Sequence, residues 1–249
     1  EAIERLPATA AGRWEASLAL DGLPAELAAS ARAAAAFGPT IEEAELEWVT
    51  GALGREGHGR FFEARAALRE LATQGLIADR GGDSWAFASP LVQDAIYQAT
   101  PAAERERIHR HALDYWRGRE GAHAMAAVVR HAGLAGAHAE AAAAALVLAE
   151  GAAAAHREIE AERWYSAALL HVADQSMRVL ALAGRGRARW RLDRKPEALS
   201  DLAAARAAAQ ELGDPIRVAS ILLDEAMVLD WTWDFTAAAD RLTEARALV

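Results

Sequence analysis

Three times in the second half of this chain, two alanines seven residues apart flank one large residue on the same helical face. The triplets are Ala161-Tyr165-Ala168, Ala198-Leu202-Ala205 and Ala238-Leu242-Ala245. A small residue lies twelve positions upstream of each: Ala149, Gly186 and Ala226. Residues three and four apart share a helix face. The alanines let a neighbouring helix approach, and the large residue fills the groove between helices. The triplets start 37 and 40 residues apart, longer than the period of about 34 of a tetratricopeptide repeat. One such helical hairpin cannot bury its apolar face alone, so several must stack, and such arrays present a surface to a partner.

Composition narrows the function classes. The 249 residues are 53% hydrophobic and 25% charged, as in a globular protein. Long Ala/Leu/Arg/Glu stretches favour helix. A formal net charge of -9 weighs against a general nucleic-acid binder, which is usually basic. With no Cys there is no disulfide, thiolate nucleophile or cysteine metal site. The longest apolar runs, such as Ala139 to Ala149, are broken by Glu140 and Glu150, so no membrane span is expected. The start Glu1-Ala2-Ile3 has neither an initiator Met nor a signal-peptide pattern, and the end stops inside a helical pattern. The expectation is a piece of a longer cytoplasmic protein, and the excess of Arg over Lys points to a GC-rich bacterial genome.

Along the chain, residues 1–20 read as a linker or a short helix around Trp14 to Leu20. A helix follows from Leu27 to Phe37 and stops at Gly38-Pro39. Thr40 is expected to cap a second helix, with Glu43 completing a capping box. A third helix is expected from about Phe61 to Gln74. Leu76 to Asp79 and Ser84 to Phe87 flank Arg80-Gly81-Gly82-Asp83 and predict one β-hairpin. Three helices and a hairpin is the order of a winged helix-turn-helix. Ser89-Pro90 opens a helix through Tyr97, and Thr100-Pro101 is expected to repeat that device. Gly118 to Gly121 marks the expected domain boundary. Beyond it helices are predicted at about 122–133, 138–155, 158–173, 176–192, 196–212, 215–231 and 235–249.

The stretch from Gly75 to Ala112 resembles a known family. Gly75-Leu76-Ile77, then Trp85-Ala86-Phe87, Ser89-Pro90-Leu91-Val92-Gln93-Asp94-Ala95-Ile96-Tyr97 and Arg105-Glu106-Arg107-Ile108-His109-Arg110-His111-Ala112 look like the segment downstream of the ATPase module in bacterial signal-transduction ATPases with numerous domains. Such segments occur in large transcriptional activators, adenylate cyclases and serine/threonine kinases, and tetratricopeptide-like repeats follow them. Leu23-Pro24 and Ala31 to Gly38 resemble that family's first winged-helix segment. The resemblance implies a relay between an ATPase and a sensor array. Two departures qualify it. Relatives often carry His where this chain has Ser89, which puts nucleotide sensing by this domain in doubt. No P-loop is present either: Lys195 is followed by Pro196 and lacks the glycine context that cradles phosphates.

Other motifs have plainer readings. The third helix offers Arg60, Arg65 and Arg69 for DNA, but Glu63 and Glu70 interleave with them, and base readout needs phosphate anchors as well. The eight histidines form no His-Glu-x-x-His element and read as surface or core residues. Gly184-x-Gly186 sits in a helical pattern, not after a strand, so close packing explains it better than a phosphate loop. Trp231, Trp233 and Phe235 cluster at the last turn, where they either pack between repeats or anchor a partner.

The expected fold is therefore mostly α. A winged-helix-like domain with one small β-hairpin spans 21–118, and an α-solenoid of tetratricopeptide-like hairpins spans 119–249. The expected function is non-catalytic: a protein-interaction and regulatory segment of a larger bacterial signalling or transcriptional regulatory protein, with no catalytic residue, cofactor or metal. Its partner would be a protein or upstream domains of the same chain. The expected binding surface is the concave face near Arg185, Arg189, Trp190, Asp224 and Trp231. Self-association through the end of the array is also expected. The alternatives are a winged-helix DNA-binding regulator and a small-molecule inducer-sensing solenoid.

Overall fold

The computed structural model describes Leu20 and residues 22–249. The expected short helix around Trp14 lies outside the described residues. Two compact units are present. The first runs to Arg119 and includes Leu134–Gly136; the second comprises Glu120–Gly133 and Ala137–Val249.

The first unit contains α1 (Ala25–Phe37), β1 (Thr40–Glu42), α2 (Glu43–Arg55), α3 (Ala64–Thr73), β2 (Ile77–Gly81), β3 (Ser84–Phe87), α4 (Pro90–Ala99) and α5 (Ala102–Arg117). α1 is its central helix and touches β1 and all four other helices. The contact is close because the buried face is mostly alanine: Ala28, Ala31, Ala34 and Ala35, with Leu27 and Phe37 at its ends. Around it pack Leu46, Leu68, Leu71, Ile96 and Ile108. Gln93 on α4 donates to the Ala35 carbonyl at 2.5 Å, and Trp116 donates its indole N–H to the buried Glu45 carboxylate at 2.8 Å. These bonds satisfy polar groups that would be costly to bury alone.

Four local expectations are corrected. The sheet has three antiparallel strands in the order β1-β3-β2, not two. Thr40 is not a helix cap; it pairs with Ala86, and Ile41 pairs with Trp85. Burying Ile41 completely outweighs a surface capping bond, and α2 starts after Glu42 with no side-chain cap. The third helix begins at Ala64 rather than Phe61, because the Glu63 side chain accepts from the backbone N–H of Arg65 and Ala66. Ser89 does cap α4, accepting from Leu91 N at 3.2 Å with Pro90 in the first turn. Thr100 does not repeat this. Its hydroxyl donates back to Ile96 O at 2.8 Å and closes α4.

The second unit is an α-solenoid. α6 (Ala122–Leu134) precedes three antiparallel hairpins: α7 (His138–Ala154) with α8 (Glu158–His171), α9 (Gln175–Arg191) with α10 (Lys195–Glu211), and α11 (Pro215–Asp230) with α12 (Phe235–Ala247). Each helix from α7 to α12 packs on the next in sequence, and α9 also touches α7 and α11. The first helices of the hairpins are thus closer to one another than the second helices are, which makes the first-helix side the inner one.

The first two triplets sit at the seams, whereas in the third only Ala238 and Ala245 are buried and Leu242 is half exposed, so it does not fill the expected groove. Ala161, Ala168, Ala198 and Ala205 are fully buried. Leu202 is pressed against Gly186, where an added Cβ would lie 2.9 Å from Leu202 Cγ and 3.2 Å from the Ala198 carbonyl. Tyr165 reaches Gly184 on the other side of α9. The hairpin turns repeat as well. His156, Asp193 and Trp233 have φ of 56°, 62° and 65°, at the same intervals of 37 and 40 residues as the triplets. In the middle turn Asp193 N donates to Trp190 O and Arg194 N to Arg189 O, each at 2.9 Å. The other two turns repeat this pair of bonds, the left-handed helix ending that satisfies the last carbonyls.

Candidate functional site

The arginines of α9 point to two opposite sides. On the side toward α8 and α10, Arg185 grips Asp201 with Nε to Oδ2 at 2.8 Å and Nη2 to Oδ1 at 2.7 Å. Arg189 Nη1 adds a third bond to Asp201 at 2.9 Å, and its Nε reaches Glu162 Oε1 at 3.0 Å. Arg194 completes the chain at Glu162, 2.8 Å away. Asp201 is buried, and the Arg185 and Arg189 side chains are about one-fifth exposed. Bidentate geometry and three satisfied bonds are what a buried carboxylate needs. The cluster ties α8, α9 and α10 together.

On the opposite side of α9, Arg187 reaches across to Asp224 on α11 at 2.9 Å. Burial pushes the Tyr165 phenol up, and the nearby Arg187 partly opposes that shift. Between α9 and α11 lies a cleft of about 460 Å³. Leu180, Ile216 and Ser220 line it, with Arg217 and Asp214 at one end.

From this cleft an apolar stripe runs the length of α11. Ile216, Leu223, Met227 and Trp231 recur at intervals of seven, four and four, which keeps them on one face. Trp231 follows the helix in αR geometry and prolongs the stripe. All four are solvent-exposed, Ile216 at 74% and Trp231 at 62%, and Leu180 faces the same side from α9. The opposite side of α11 is also apolar, with Val218, Ile221 and Leu222 buried in the core. α11 therefore carries two apolar stripes and only one is covered.

The five residues singled out from the sequence thus divide. Arg185 and Arg189 meet on Asp201, on the inter-helix seam. Asp224 lies on the inner side with Arg187. Trp190 packs half-buried against the core cluster. Trp231 stands exposed at the end of the stripe. Sequence reasoning missed Arg187, Leu180, Ile216, Leu223 and Met227. For Ile216, Leu223 and Met227 the signal was present as a second heptad-like spacing on α11, masked by a helix that reads as apolar on nearly every side; Leu180 and Arg187 on α9 carried none.

The cations of α3 are partly engaged. Arg65 donates to Glu43 at 2.8 Å and to Asp83 at 2.7 Å, and the Glu43 hydrogen bond and charge hold its guanidinium above the ordinary value. A DNA contact through Arg65 would have to displace both carboxylates. Among the described residues no three His, Cys, Asp or Glu side chains form a metal-binding group, and no helix is long and apolar enough to cross a membrane. Two histidines do meet. His138, first in α7, and His171, last in α8, approach with Nδ1 atoms 3.2 Å apart and ring centroids 5.3 Å apart. The ring planes lie within 15° of parallel. Burial first, and the neighbouring His138 second, hold the His171 imidazole below its ordinary value.

No family model matches this sequence, and no curated protein matches it at a significant level. Among solved structures, the chain is similar to a signal transduction ATPase with numerous domains from Pyrococcus horikoshii, described as having a tetratricopeptide repeat sensor. The identity is 11% and the TM-score 0.40, over 95% of this chain and 46% of that one. The chain spans about half the length of that protein.

Proposed function

We propose that this chain is a non-catalytic regulatory and interaction segment of a larger signalling or transcriptional regulatory protein, in which the solenoid at 119–249 docks a partner protein on its inner side. The observation that carries this reading is the uncovered stripe Ile216-Leu223-Met227-Trp231 beside Leu180. Contiguous apolar surface rimmed by charge marks interaction sites on otherwise well-packed proteins. Here the rim is Arg187, Asp224, Arg217 and Asp214. A helix face or extended segment with apolar residues at matching intervals fits such a groove. The part at 21–118 is proposed as a winged-helix-like relay, in keeping with the resemblance of Gly75 to Ala112 to segments that follow an ATPase module.

The test is site-specific photocrosslinking in source cells, with the crosslinker at Leu223 or, as control, at Leu170, an exposed leucine on α8. A discrete crosslinked protein at Leu223, absent at Leu170 and lost with Met227→Asp, supports the reading. Equal products at both positions count against it. A second reading is favoured by the 460 Å³ cleft, whose size suits a small ligand. There the solenoid senses an inducer, and thermal stabilisation of the chain by a small molecule, abolished by Leu180→Asp, would support it.

A further inference from the structure

The first helix of the second and third hairpins packs against both helices of the hairpin before it, so each preceding pair forms a notch for a helix. α11 shows how such a notch holds its occupant. Arg187 of α9 bonds Asp224 at 2.9 Å, and Arg206 of α10 bonds the adjacent Glu225 at 3.0 Å. Ala183 of α9 and Leu202 of α10 are buried in one cluster with Val218 and Leu222 of α11. One hairpin earlier, Gly184 stands forty residues before Asp224. There the notch offers the ring of Tyr165 on α8, which lies against that glycine. Each time, the incoming residue matches what the notch presents. The same interval of forty carries the lining positions to Leu223 and Met227 on α11 and to Leu242 and Arg246 on α12. Leu223, Met227 and Leu242 are exposed. Arg246 is exposed as well and makes no ion pair among the described residues. The third notch is therefore lined by three apolar side chains and one unpaired guanidinium.

We infer that the partner segment docked on the α11 stripe is an α-helix lying in this third notch, in the relation that α11 has to α9 and α10. It carries an apolar residue followed by a carboxylate where α11 carries Asp224 and Glu225. The inference rests on the docking proposed above and names the chemistry of the docked segment. The face continues an interface that the solenoid already builds twice, at α9 and at α11. The apolar residue meets Met227, which stands where Arg187 stands one hairpin earlier. The carboxylate meets Arg246 as Glu225 meets Arg206. An occupant without that carboxylate would bury an unpaired guanidinium, which is costly. A second copy of this chain does not supply it from the matching helix. Its Glu225 is buried and already paired with Arg206 and Arg241. The occupant is therefore a helix of another protein, bound as amphipathic helices are bound in apolar grooves.

Fluorescence anisotropy of a labelled synthetic peptide, titrated with the whole chain, tests this. The peptide copies residues 214–231 with Asp224→Leu, which gives the apolar–acid pair. A second peptide also carries Glu225→Lys. The first peptide is expected to bind saturably and to lose affinity about tenfold when Glu225→Lys is made in it or Arg246→Glu is made in the chain. The two charge reversals together are expected to restore binding, which a merely misfolded variant would not do. Leu223→Asp in the chain is expected to abolish binding of both peptides. Binding lost with Leu223→Asp but indifferent to Arg246→Glu would overturn the inference and leave docking on α11 standing. No binding at millimolar chain would also overturn it, and the crosslink at Leu223 decides separately whether the docking surface stands. A chain that self-associates without peptide in sedimentation velocity, and is dispersed by Leu242→Asp, would put a second copy in the notch and overturn the inference as well.

Discussion

Gly184 lies directly under the ring of Tyr165. A Cβ at that position would fall 2.3 Å from Tyr165 Cζ and 2.7 Å from its hydroxyl, so α8 and α9 can be this close only with no side chain there. Gly184→Ala gains helix propensity of about 1 kcal/mol, but overpacking a filled seam costs about 1–3 kcal/mol. The net expectation is a loss of stability in urea denaturation, even though glycine-to-alanine changes inside helices usually stabilise. Tyr165→Ala should be destabilising alone, and combined with Gly184→Ala it should remove most of the added cost. Additive effects in this double-mutant cycle would contradict the seam described here.

The Arg185–Asp201–Arg189 cluster gives a second expectation. Asp201→Ala leaves two largely buried guanidiniums without their shared carboxylate, and breaking such a cluster from one side costs about 3–5 kcal/mol. Chemical denaturation of the variant should show a loss in that range. Arg157→Ala breaks only an exposed pair with Glu160 and should lie within about 1 kcal/mol of wild type.

Trp233 is a strained residue at the last hairpin turn. His156 and Asp193 hold the equivalent turns with the same positive φ, and glycine adopts it without penalty. Trp233→Gly should therefore raise stability by about 1 kcal/mol. The measurement is urea denaturation of the variant beside the wild-type chain; an unchanged or lowered stability would contradict the strain described here.

The His138–His171 pair predicts a pH dependence. The folded-state value of His171 is held below the ordinary 6.5, so the unfolded chain binds the proton more readily. Its contribution to stability is fully present above about pH 6.5 and is lost as pH falls through the depressed folded value. The melting temperature should decline on acidification through this range, and His171→Gln should flatten that decline. A profile unchanged by the substitution would remove His171 as its source.

Much of the solenoid was readable from sequence because its signals are local and repeated. The triplets around Tyr165 and Leu202 mark real seams, and helix limits from α6 to α12 fall within about two residues of expectation, the usual uncertainty of helix ends, because Gly, Pro and Asp punctuate each turn. The failures came where a distant partner decides. Thr40 has the chemistry of a cap, but β3 recruits it into a strand so that Ile41 can be buried. Thr100 looks like Ser89, yet Ile96 O is the nearer acceptor. Arg185 and Arg189 look like an open basic face, but Asp201 comes from another helix to meet them. The α11 stripe was hidden because periodicity reports apolar residues without saying which of two apolar sides a neighbour covers. The meeting of His138 with His171, 33 residues apart, carries no sequence signal.

The most direct test of the docking surface is a hydrogen-exchange footprint of the chain with the partner captured at Leu223. Protection is expected on α11 and the facing side of α9, centred on Leu223 and Met227, with α8 and α10 unchanged. Protection confined to α8, α10 or the first unit would contradict the account and place the interaction on another surface.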